Sequence, residues 1–279
     1  MSGTLYLIAT PIGNLGDLSP RAAATLESAS FVAAEDTRVT RKLLSHLGLQ
    51  KPMVSYHEHN KASAGPAILA RLLAGESCAL TTDAGTPAVS DPGEDLVRLC
   101  AENGVAVQAI PGCCALITAL AVSGLPTERF VFEGFLPVNK AQRKERLQGL
   151  LGEERTILLY EAPHRLRATL DDLLAAFGDR RIALCRELTK LQEDVARTTL
   201  AQAAAWHREN EPRGEYVLVL AGAERRPENA VTLAQGVELV LERRERGERM
   251  KDVVRQVSAD TGLGRNELYE AALLASRER

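Results

Sequence analysis

The sequence predicts an α/β protein made of two α/β domains followed by a small helical module. Short β-rich runs alternate with helical stretches in the first half, and strands become more frequent relative to helices after Gly124. From Ala230 onward the periodicity is only helical. At 279 residues the chain is long enough for two ordinary domains.

The strict alternation in the first half indicates crossover connections and a mainly parallel sheet with helices on both faces. Helices are expected to begin near residues 19, 38, 62, 92 and 112. Ser19-Pro20 and Asp91-Pro92 each place a capping side chain before a proline at the first helical position. The predicted strands are LYLIAT (5–10), FVAAED (31–36), MVSYH (53–57), SCALTTD (77–83) and VAVQAI (105–110).

The second half follows a break at GLPTERF, so we predict domains at 1–118 and 119–229. Its larger share of strands favours a mixed sheet. Helices are expected at 140–150, 163–176 and 200–209. The predicted strands are FVFEGF (130–135), TILLYEA (156–162), RIALCREL (181–188), EDVARTT (193–199) and EYVLVLAG (215–222).

The remaining residues, 230–279, are predicted to form a helical module. Two amphipathic segments joined by Thr261-Gly262-Leu263-Gly264 indicate a small helix-turn-helix. The sequence leaves two roles open for this module: contact with nucleic acid, and packing or support of a dimer.

Composition excludes several classes of protein. The chain is 45% hydrophobic and 25% charged, which is typical of a globular protein, and no apolar run approaches the roughly 18 residues of a membrane helix. The N-terminal residues read as a first strand with no signal peptide, and the five cysteines have no C-x-x-C spacing, so we expect a cytoplasmic protein. A net charge of −3 excludes a generally basic nucleic-acid coat and limits RNA contact to local patches.

The stretch from Leu80 to Gly93 is the most informative. An apolar strand ends at Thr81-Thr82-Asp83 and is followed by small residues, an arrangement that lets a ligand approach the backbone at the edge of an α/β sheet. Gly85 permits close approach, and Pro87 fixes the loop. Dinucleotide and triphosphate fingerprints are absent from the sequence, so the pattern leaves the ligand unnamed.

Ten ordered motifs, which span nearly the whole chain, carry a family resemblance. They are TPIGNLGDLSPRA (10–22), AAEDTRVTRKLL (33–44), SYHEHN (55–60), TTDAGTPAVSDPG (81–93), IPG with ALITALAVSGLP (110–126), FVFEGFLP (130–137), YEAPHRL (160–166), CRELTK (185–190), GEYVLVLAG (214–222) and GRNELYEAAL (264–273). The chain resembles the ribosomal RNA small-subunit methyltransferase I group of the tetrapyrrole methylase superfamily.

The resemblance implies an interdomain cleft for S-adenosylmethionine, a homodimer, and 2′-O-methylation of a decoding-centre cytidine in the 16S rRNA of the small ribosomal subunit. The chain departs from the family at Cys113-Cys114, where Pro-Ser is usual. This change puts the start of the following helix, and the fine geometry of that cleft edge, in question.

With the cofactor implied, backbone groups and apolar walls are needed around it. The residues assigned to this role are Pro11, Asp83, Gly85, Thr86, Pro87, Val89, Thr118, Phe132, Leu136, Tyr160 and Ala162.

The acceptor side needs a group that takes the 2′-hydroxyl proton. Candidates lie in the polar motifs at 35–38, 57–60, 133, 161 and 186–190. We favour Glu35, Asp36 and His57, with Lys190 as the alternative base if burial lowers its pKa. Asp36 could instead be only a helix cap. The residues expected to contact RNA are Arg38, Lys140, Arg143, Lys144, Arg165 and Arg186.

Other interpretations stay open. His57 and His59 point the same way on a strand, but no third ligand has suitable spacing, so no metal is predicted. A true tetrapyrrole methylase would share the cleft but would not need the basic residues at 140–146 or the C-terminal helices. A non-catalytic RNA-binding assembly factor would leave the small-residue loop unexplained.

Overall fold

The structure is a computed structural model that describes residues 2–224 and 231–278, with side chains described to residue 276. Residues up to Ala223 form one compact unit, and residues from Glu224 onward form a second. The predicted junction at 229–230 lies outside the described residues.

The first sheet has five strands, all parallel, in the order β3-β2-β4-β1-β5. The predicted parallel sheet is therefore confirmed. Four of the five predicted strands run two residues past the observed ends, because the residues that follow turn into loops at one edge of the sheet, while the fifth ends at Ile110 as predicted. The strands are β1 Thr4–Ile8, β2 Phe31–Ala34, β3 Met53–Ser55, β4 Cys78–Thr81 and β5 Ala106–Ile110.

Five helices connect or follow these strands, and their capping only partly follows the prediction. The side chain of Ser19 accepts a hydrogen bond from the Ala22 N–H, as predicted for a capped start with Pro20. The predicted cap at Asp91 is wrong, because the fourth helix begins three residues later and Gly93 is its N-cap. The helices are α1 Pro20–Ser28, α2 Thr37–His46, α3 Lys61–Leu73, α4 Glu94–Glu102 and α5 Ala115–Ser123.

The second sheet is mixed, as predicted. Its order is β6-β7-β10-β8-β9, and β6 and β7 are parallel while the other pairs are antiparallel. Three helices accompany it. These elements are β6 Phe130–Phe135, α6 Lys140–Gly149, β7 Thr156–Glu161, α7 Pro163–Phe177, β8 Arg181–Arg186, β9 Asp194–Thr199, α8 Leu200–Glu209 and β10 Tyr216–Leu220.

Helix α5 joins the two sheets. Its buried Leu116 and Leu120 pack in one apolar cluster with Leu158, Cys185 and Val217 of the second sheet. The predicted division between 118 and 119 falls inside this helix, which packs against the second sheet over its length.

Between residues 231 and 278 the last unit has three helices: α9 Leu233–Glu245, α10 Met250–Thr261 and α11 Arg265–Glu278. Val240, Val253, Val257 and Leu268 are almost fully buried in a core of their own. Gly262 ends α10 in the left-handed conformation, so the predicted glycine turn lies between α10 and α11. None of the helices described is long and apolar enough to cross a membrane.

Candidate active site

A cleft of about 370 Å³ opens between loops at the edge of the first sheet and the ends of strands in the second. Both sides of the cleft contribute apolar side chains and carboxylates. Its lining consists of Ile12, Glu35, Asp83, Ala84, Gly85, Thr86, Val89, Ser90, Asp91, Cys114, Ala115, Phe135, Tyr160, Glu161, Ala162, Cys185, Glu187, Leu188, Lys190, Glu215, Tyr216 and Val217.

The loop after β4 is held against the loop after β1. The Thr10 N–H donates to the Gly85 carbonyl at 2.9 Å, and the Gly85 N–H donates to the Thr10 carbonyl at 3.0 Å. Gly85 has φ +83°, which disfavours a residue with a side chain. The Thr86 hydroxyl donates to the Cys113 carbonyl at 2.9 Å, so three loops form one rigid rim.

Non-glycine residues adopt the left-handed conformation on both sides of the cleft. Ala88 and Ser90 have φ +68° and +62°, and Glu187 and Thr189 opposite have φ +50° and +67°. Such conformations are uncommon outside glycine and concentrate at functional sites. The chain is therefore neither regular helix nor strand at these points, and the side chains of Val89 and Leu188, which lie between the left-handed residues, line the cleft.

Three carboxyl groups, from the loops after β2 and β4, converge at the first-sheet side. The Asp83 N–H donates to Glu35 Oε2 at 3.3 Å, and the Asp36 N–H donates to Asp83 Oδ1 at 3.2 Å. Burial, together with the nearby charges of Glu35 and Asp83, raises the pKa of Asp91 to about 7. Burial also raises the pKa of Glu35 and of Asp83. This concentration of negative charge favours a cationic ligand.

Asp36 has a structural task at the start of α2. Its carboxylate accepts a hydrogen bond from the Arg38 N–H at 2.7 Å and pairs with the Arg38 guanidinium at 2.6 Å. Hydrogen bonds from the Arg38 side chain and backbone lower the pKa of Asp36 to about 2. The capping alternative for Asp36 is therefore realised, and so low a pKa makes this carboxylate a weak base.

Lys190 lies on the opposite side of the cleft and is ion-paired. Its Nζ is 2.9 Å from Glu187 Oε1 and 2.9 Å from Glu215 Oε2. Burial alone would lower the pKa of Lys190, but hydrogen bonds to Glu215 and Glu187 outweigh it, and the pKa is raised. The condition for Lys190 to act as a base, a pKa lowered by burial, is not met.

Tyr160 organises the second-sheet wall. Its ring lies edge-on to Phe132 at 4.9 Å between centroids, and its phenol oxygen accepts a hydrogen bond from the Leu116 N–H at 3.2 Å. Burial raises the pKa of Tyr160 to about 12, so the phenol stays protonated. The neighbouring Glu161, 2% exposed, accepts hydrogen bonds from the Thr169 hydroxyl and the Ala162 N–H.

The cysteine pair precedes α5. Cys114 is the N-cap residue, with extended backbone and no side-chain cap. The Tyr160 phenol replaces that cap, because Leu116 is the second residue of the helix. The start of α5, which the sequence put in question, is therefore a regular helix start without a side-chain cap from Cys114.

The structure brings together eight of the predicted catalytic and cofactor residues in the lining: Glu35, Asp83, Gly85, Thr86, Val89, Tyr160, Ala162 and Lys190. The other predicted residues in these two groups lie outside the lining. Thr118 bonds the Cys114 carbonyl, Leu136 is buried, and Phe132 supports Tyr160 from behind. Outside it also lie Pro11, Asp36, His57 and Pro87.

The predicted RNA-contacting residues differ in whether their side chains are exposed or are held by contacts within the protein. Arg143 is 2.7 Å from Asp172, and Arg165 bonds the Leu136 carbonyl and pairs with Glu161, so both are held by the fold. Arg186 is half-buried at the end of β8. Lys140 and Lys144 are exposed on α6, and the Arg38 side chain is 83% exposed.

His57 lies beyond the edge of the lining. Its N–H donates to Asn60 Oδ1 at 2.8 Å, and its ring is 6.0 Å from that of His59. The hydrogen bond from the Asp83 N–H and, to a smaller extent, the nearby His57 oppose the rise in the pKa of Glu35 that burial causes. Within the described residues, no group of three His, Cys, Asp or Glu side chains is arranged to hold a metal, and the prediction of a metal-free site stays a prediction.

Sequence reasoning missed Asp91 and Glu215 as parts of the site. The sequence predicts Asp91 only as a helix cap, and Glu215 follows a glycine with no pattern of its own. Each becomes a site residue only when loops distant in sequence meet. The one local signal was the placement of both residues directly beside an apolar strand or a small-residue loop.

The class of protein to which the chain belongs is shown by comparison with known families. A model of the tetrapyrrole (corrin/porphyrin) methylases matches residues 4–204. The fold is similar to that of a cobalamin biosynthetic enzyme, cobalt precorrin-4 methyltransferase, with a TM-score of 0.58, 18% identity and coverage of 78% of this chain and 94% of that one. It is also similar to uroporphyrin-III C-methyltransferase from Thermus thermophilus complexed with S-adenosylhomocysteine, with a TM-score of 0.57, 20% identity and coverage of 78% and 97%.

Relatives with higher sequence identity show which family within this class the chain belongs to. The chain is 49% identical to ribosomal RNA small subunit methyltransferase I of Synechocystis sp., covering 97% of this chain and 98% of the relative. It is 44% identical to the protein of that name in Pseudomonas aeruginosa, covering 98% and 97%. The chain therefore belongs to the ribosomal RNA small subunit methyltransferase I family.

Proposed function

We propose that this protein transfers a methyl group from S-adenosylmethionine to the ribose 2′-hydroxyl of a decoding-centre cytidine in 16S rRNA. The observation that carries the proposal is the acid-lined cleft beneath the small-residue loop, in a chain similar over nearly its full length to small-subunit rRNA methyltransferases. The family resemblance supports the particular nucleotide and a homodimer. The reaction would take place in the cytoplasm, where small ribosomal subunits are made.

The chemistry of the cleft fits S-adenosylmethionine. Its volume of about 370 Å³ lies in the range of small-molecule sites. Ile12, Val89 and Tyr160 offer apolar walls, while Glu35 and Asp91 offer negative charge to a cationic ligand. The bound cofactor supplies a methyl group on a positively charged sulfonium sulfur, open to in-line displacement. The rigid rim at Gly85 and Thr86 holds the ligand with little loss of loop entropy.

Among the candidate bases, Glu35 fits the task of accepting the 2′-hydroxyl proton. It lines the cleft, and burial raises its pKa toward working pH, which strengthens a carboxylate base. Asp36, with a pKa of about 2, and the ion-paired Lys190 are less suited to that role. Asp36 instead fixes the backbone beside Asp83, so we assign it to positioning.

A transfer assay tests the proposal. Purified protein is incubated with methyl-labelled S-adenosylmethionine and either unmethylated small ribosomal subunits or a tetrapyrrole precursor. We expect label in the rRNA and none in the tetrapyrrole. Label in the tetrapyrrole alone would establish the rival methylase, and binding of subunits without transfer would establish a non-catalytic assembly factor.

A further inference from the structure

Helix α2 carries an unusual concentration of exposed positive charge. Residues 37–46 include two arginines and a lysine and no acidic residue. Arg38, Arg41 and Lys42 are all exposed, whereas Leu43 and Leu44 on the other side are buried. Positions 38, 41 and 42 are separated by three and four residues and therefore share one face of the helix. We call Arg38, Arg41 and Lys42 the α2 basic strip.

Two of these cations have no partner among the residues that the structure describes. Arg38 pairs with Asp36, but neither Arg41 nor Lys42 makes a hydrogen bond or ion pair with any residue that the structure describes. Helix α3 of the same unit differs in this respect. Lys61 and Arg71 of α3 are both ion-paired. Charge left uncompensated on a rigid surface is suited to an anionic partner.

The strip is fixed directly beside the cleft. The Asp36 N–H, at the start of α2, donates to Asp83 of the cleft lining at 3.2 Å. The hydroxyls of Thr40 and Thr81 are 3.1 Å apart in the buried interface, which fastens α2 to strand β4. At about 1.5 Å of rise per residue, Arg41 and Lys42 lie roughly 4.5–6 Å along the helix axis beyond Arg38.

We infer that the α2 basic strip binds the phosphate backbone of the RNA beside the nucleotide that enters the cleft. The inference rests on the proposed function, since it names a contact surface for that same substrate. Charge complementarity selects RNA: a phosphodiester chain presents repeated single negative charges, which match separate cations on one helix face. The carboxylates at the mouth of the cleft repel phosphate. The RNA backbone is therefore held by Arg41 and Lys42, about one helical turn beyond Arg38.

Binding to phosphates has a measurable signature. Removal of one cation that neutralises a phosphate should reduce the slope of log affinity against log salt by about 0.9 for duplex and about 0.7 for single-stranded nucleic acid. The slope for the Arg41→Gln/Lys42→Gln variant should therefore be smaller by about 1.4–1.8 between about 0.05 and 0.2 M salt. Its KM for unmethylated small subunits should rise roughly tenfold. Its affinity for S-adenosylhomocysteine and its Tm should match those of the wild type.

Two variants serve as controls. Arg41→Lys/Lys42→Arg keeps both charges and should keep the wild-type salt slope. Arg208→Gln removes an exposed cation that pairs with Asp171 on α7 and should leave KM for subunits unchanged. An unchanged slope in the glutamine variant, or an equal reduction in either control, would overturn the inference. A wild-type protein that neither binds nor methylates subunits would instead overturn the proposed function itself.

Discussion

The chemistry of the site depends on which of several neighbouring carboxyl groups carries a proton. Asp36 and Glu35 are adjacent in sequence, yet their environments push their pKa values in opposite directions. Hydrogen bonds from Arg38 hold Asp36 ionised, whereas burial makes Glu35 more basic. Opposite pKa shifts of two adjacent carboxyl groups distinguish a structural carboxylate from a general base.

Glu35→Gln tests the assignment of the base. We expect kcat for small subunits to fall by about 10²–10⁴-fold, because the amide cannot accept the 2′-hydroxyl proton. Calorimetric affinity for S-adenosylhomocysteine should stay near the wild-type value. Asp36→Asn keeps a capping side chain and is the matched control, expected to retain kcat within a few-fold. Full activity of the Glu35 variant would remove it from this role.

Asp91 gives the cleft a pH dependence. Because its pKa is about 7, it becomes charged as the pH rises from about 6 to 8, and its charge attracts the sulfonium cation but not the neutral sulfur of S-adenosylhomocysteine. The ratio of affinities for the two ligands should therefore increase across this range in the wild type. In Asp91→Asn the ratio should be flat. Calorimetry at several pH values measures it, and an equal slope in both proteins would contradict the account.

The same group affects stability. Its folded pKa of about 7 lies above the usual 3.8, so the folded state binds more protons than the unfolded state between those values. Stability from this group therefore falls as the pH rises from about 4 to 7. The difference in unfolding free energy between Asp91→Asn and the wild type should grow in favour of the variant over that window, as urea denaturation would show. A constant difference would contradict the raised pKa.

Secondary-structure elements are where sequence reasoning succeeded best. Every predicted strand and helix of the two-sheet unit exists, because most of them have a clear apolar period and are bounded by polar turns. The prediction of a helix start at Asp91-Pro92 was wrong, since two left-handed residues, Ala88 and Ser90, carry the chain past it before α4 begins. Contacts between segments distant in sequence, such as that of Glu35 with Asp83, have no local pattern that a single sequence could reveal.

The start of α5 is a second test at the scale of elements. Cys114→Ser should supply a side-chain oxygen to the Ile117 N–H at the third helical position, and should raise stability by about 0.5–1 kcal/mol. Cys113→Ser lies one residue outside the cap and should give no such gain. Differential scanning calorimetry measures the Tm of both variants and shows whether the serine cap adds stability. Equal Tm changes would show that the Tyr160 phenol already meets the need for a cap.

At the scale of the whole molecule, the two compact units have separate cores. The chain shortened to residues 1–224 contains both sheets and the complete cleft lining. It should unfold cooperatively and bind S-adenosylhomocysteine within a few-fold of the full chain. A KM for small subunits that stays unchanged would assign the helical module to packing, and a raised KM would assign it to substrate contact. Loss of cofactor binding would contradict the independence of the first unit.

The most direct test of the central claim is the position of the transferred methyl group. Small subunits methylated with labelled S-adenosylmethionine are stripped to rRNA, digested to nucleosides and analysed by mass spectrometry, and the modified site is mapped by its resistance to alkaline cleavage. The account predicts 2′-O-methylcytidine at a single position in the decoding centre, absent from the Glu35→Gln reaction. A methyl group on a base, or rRNA without label, would contradict it.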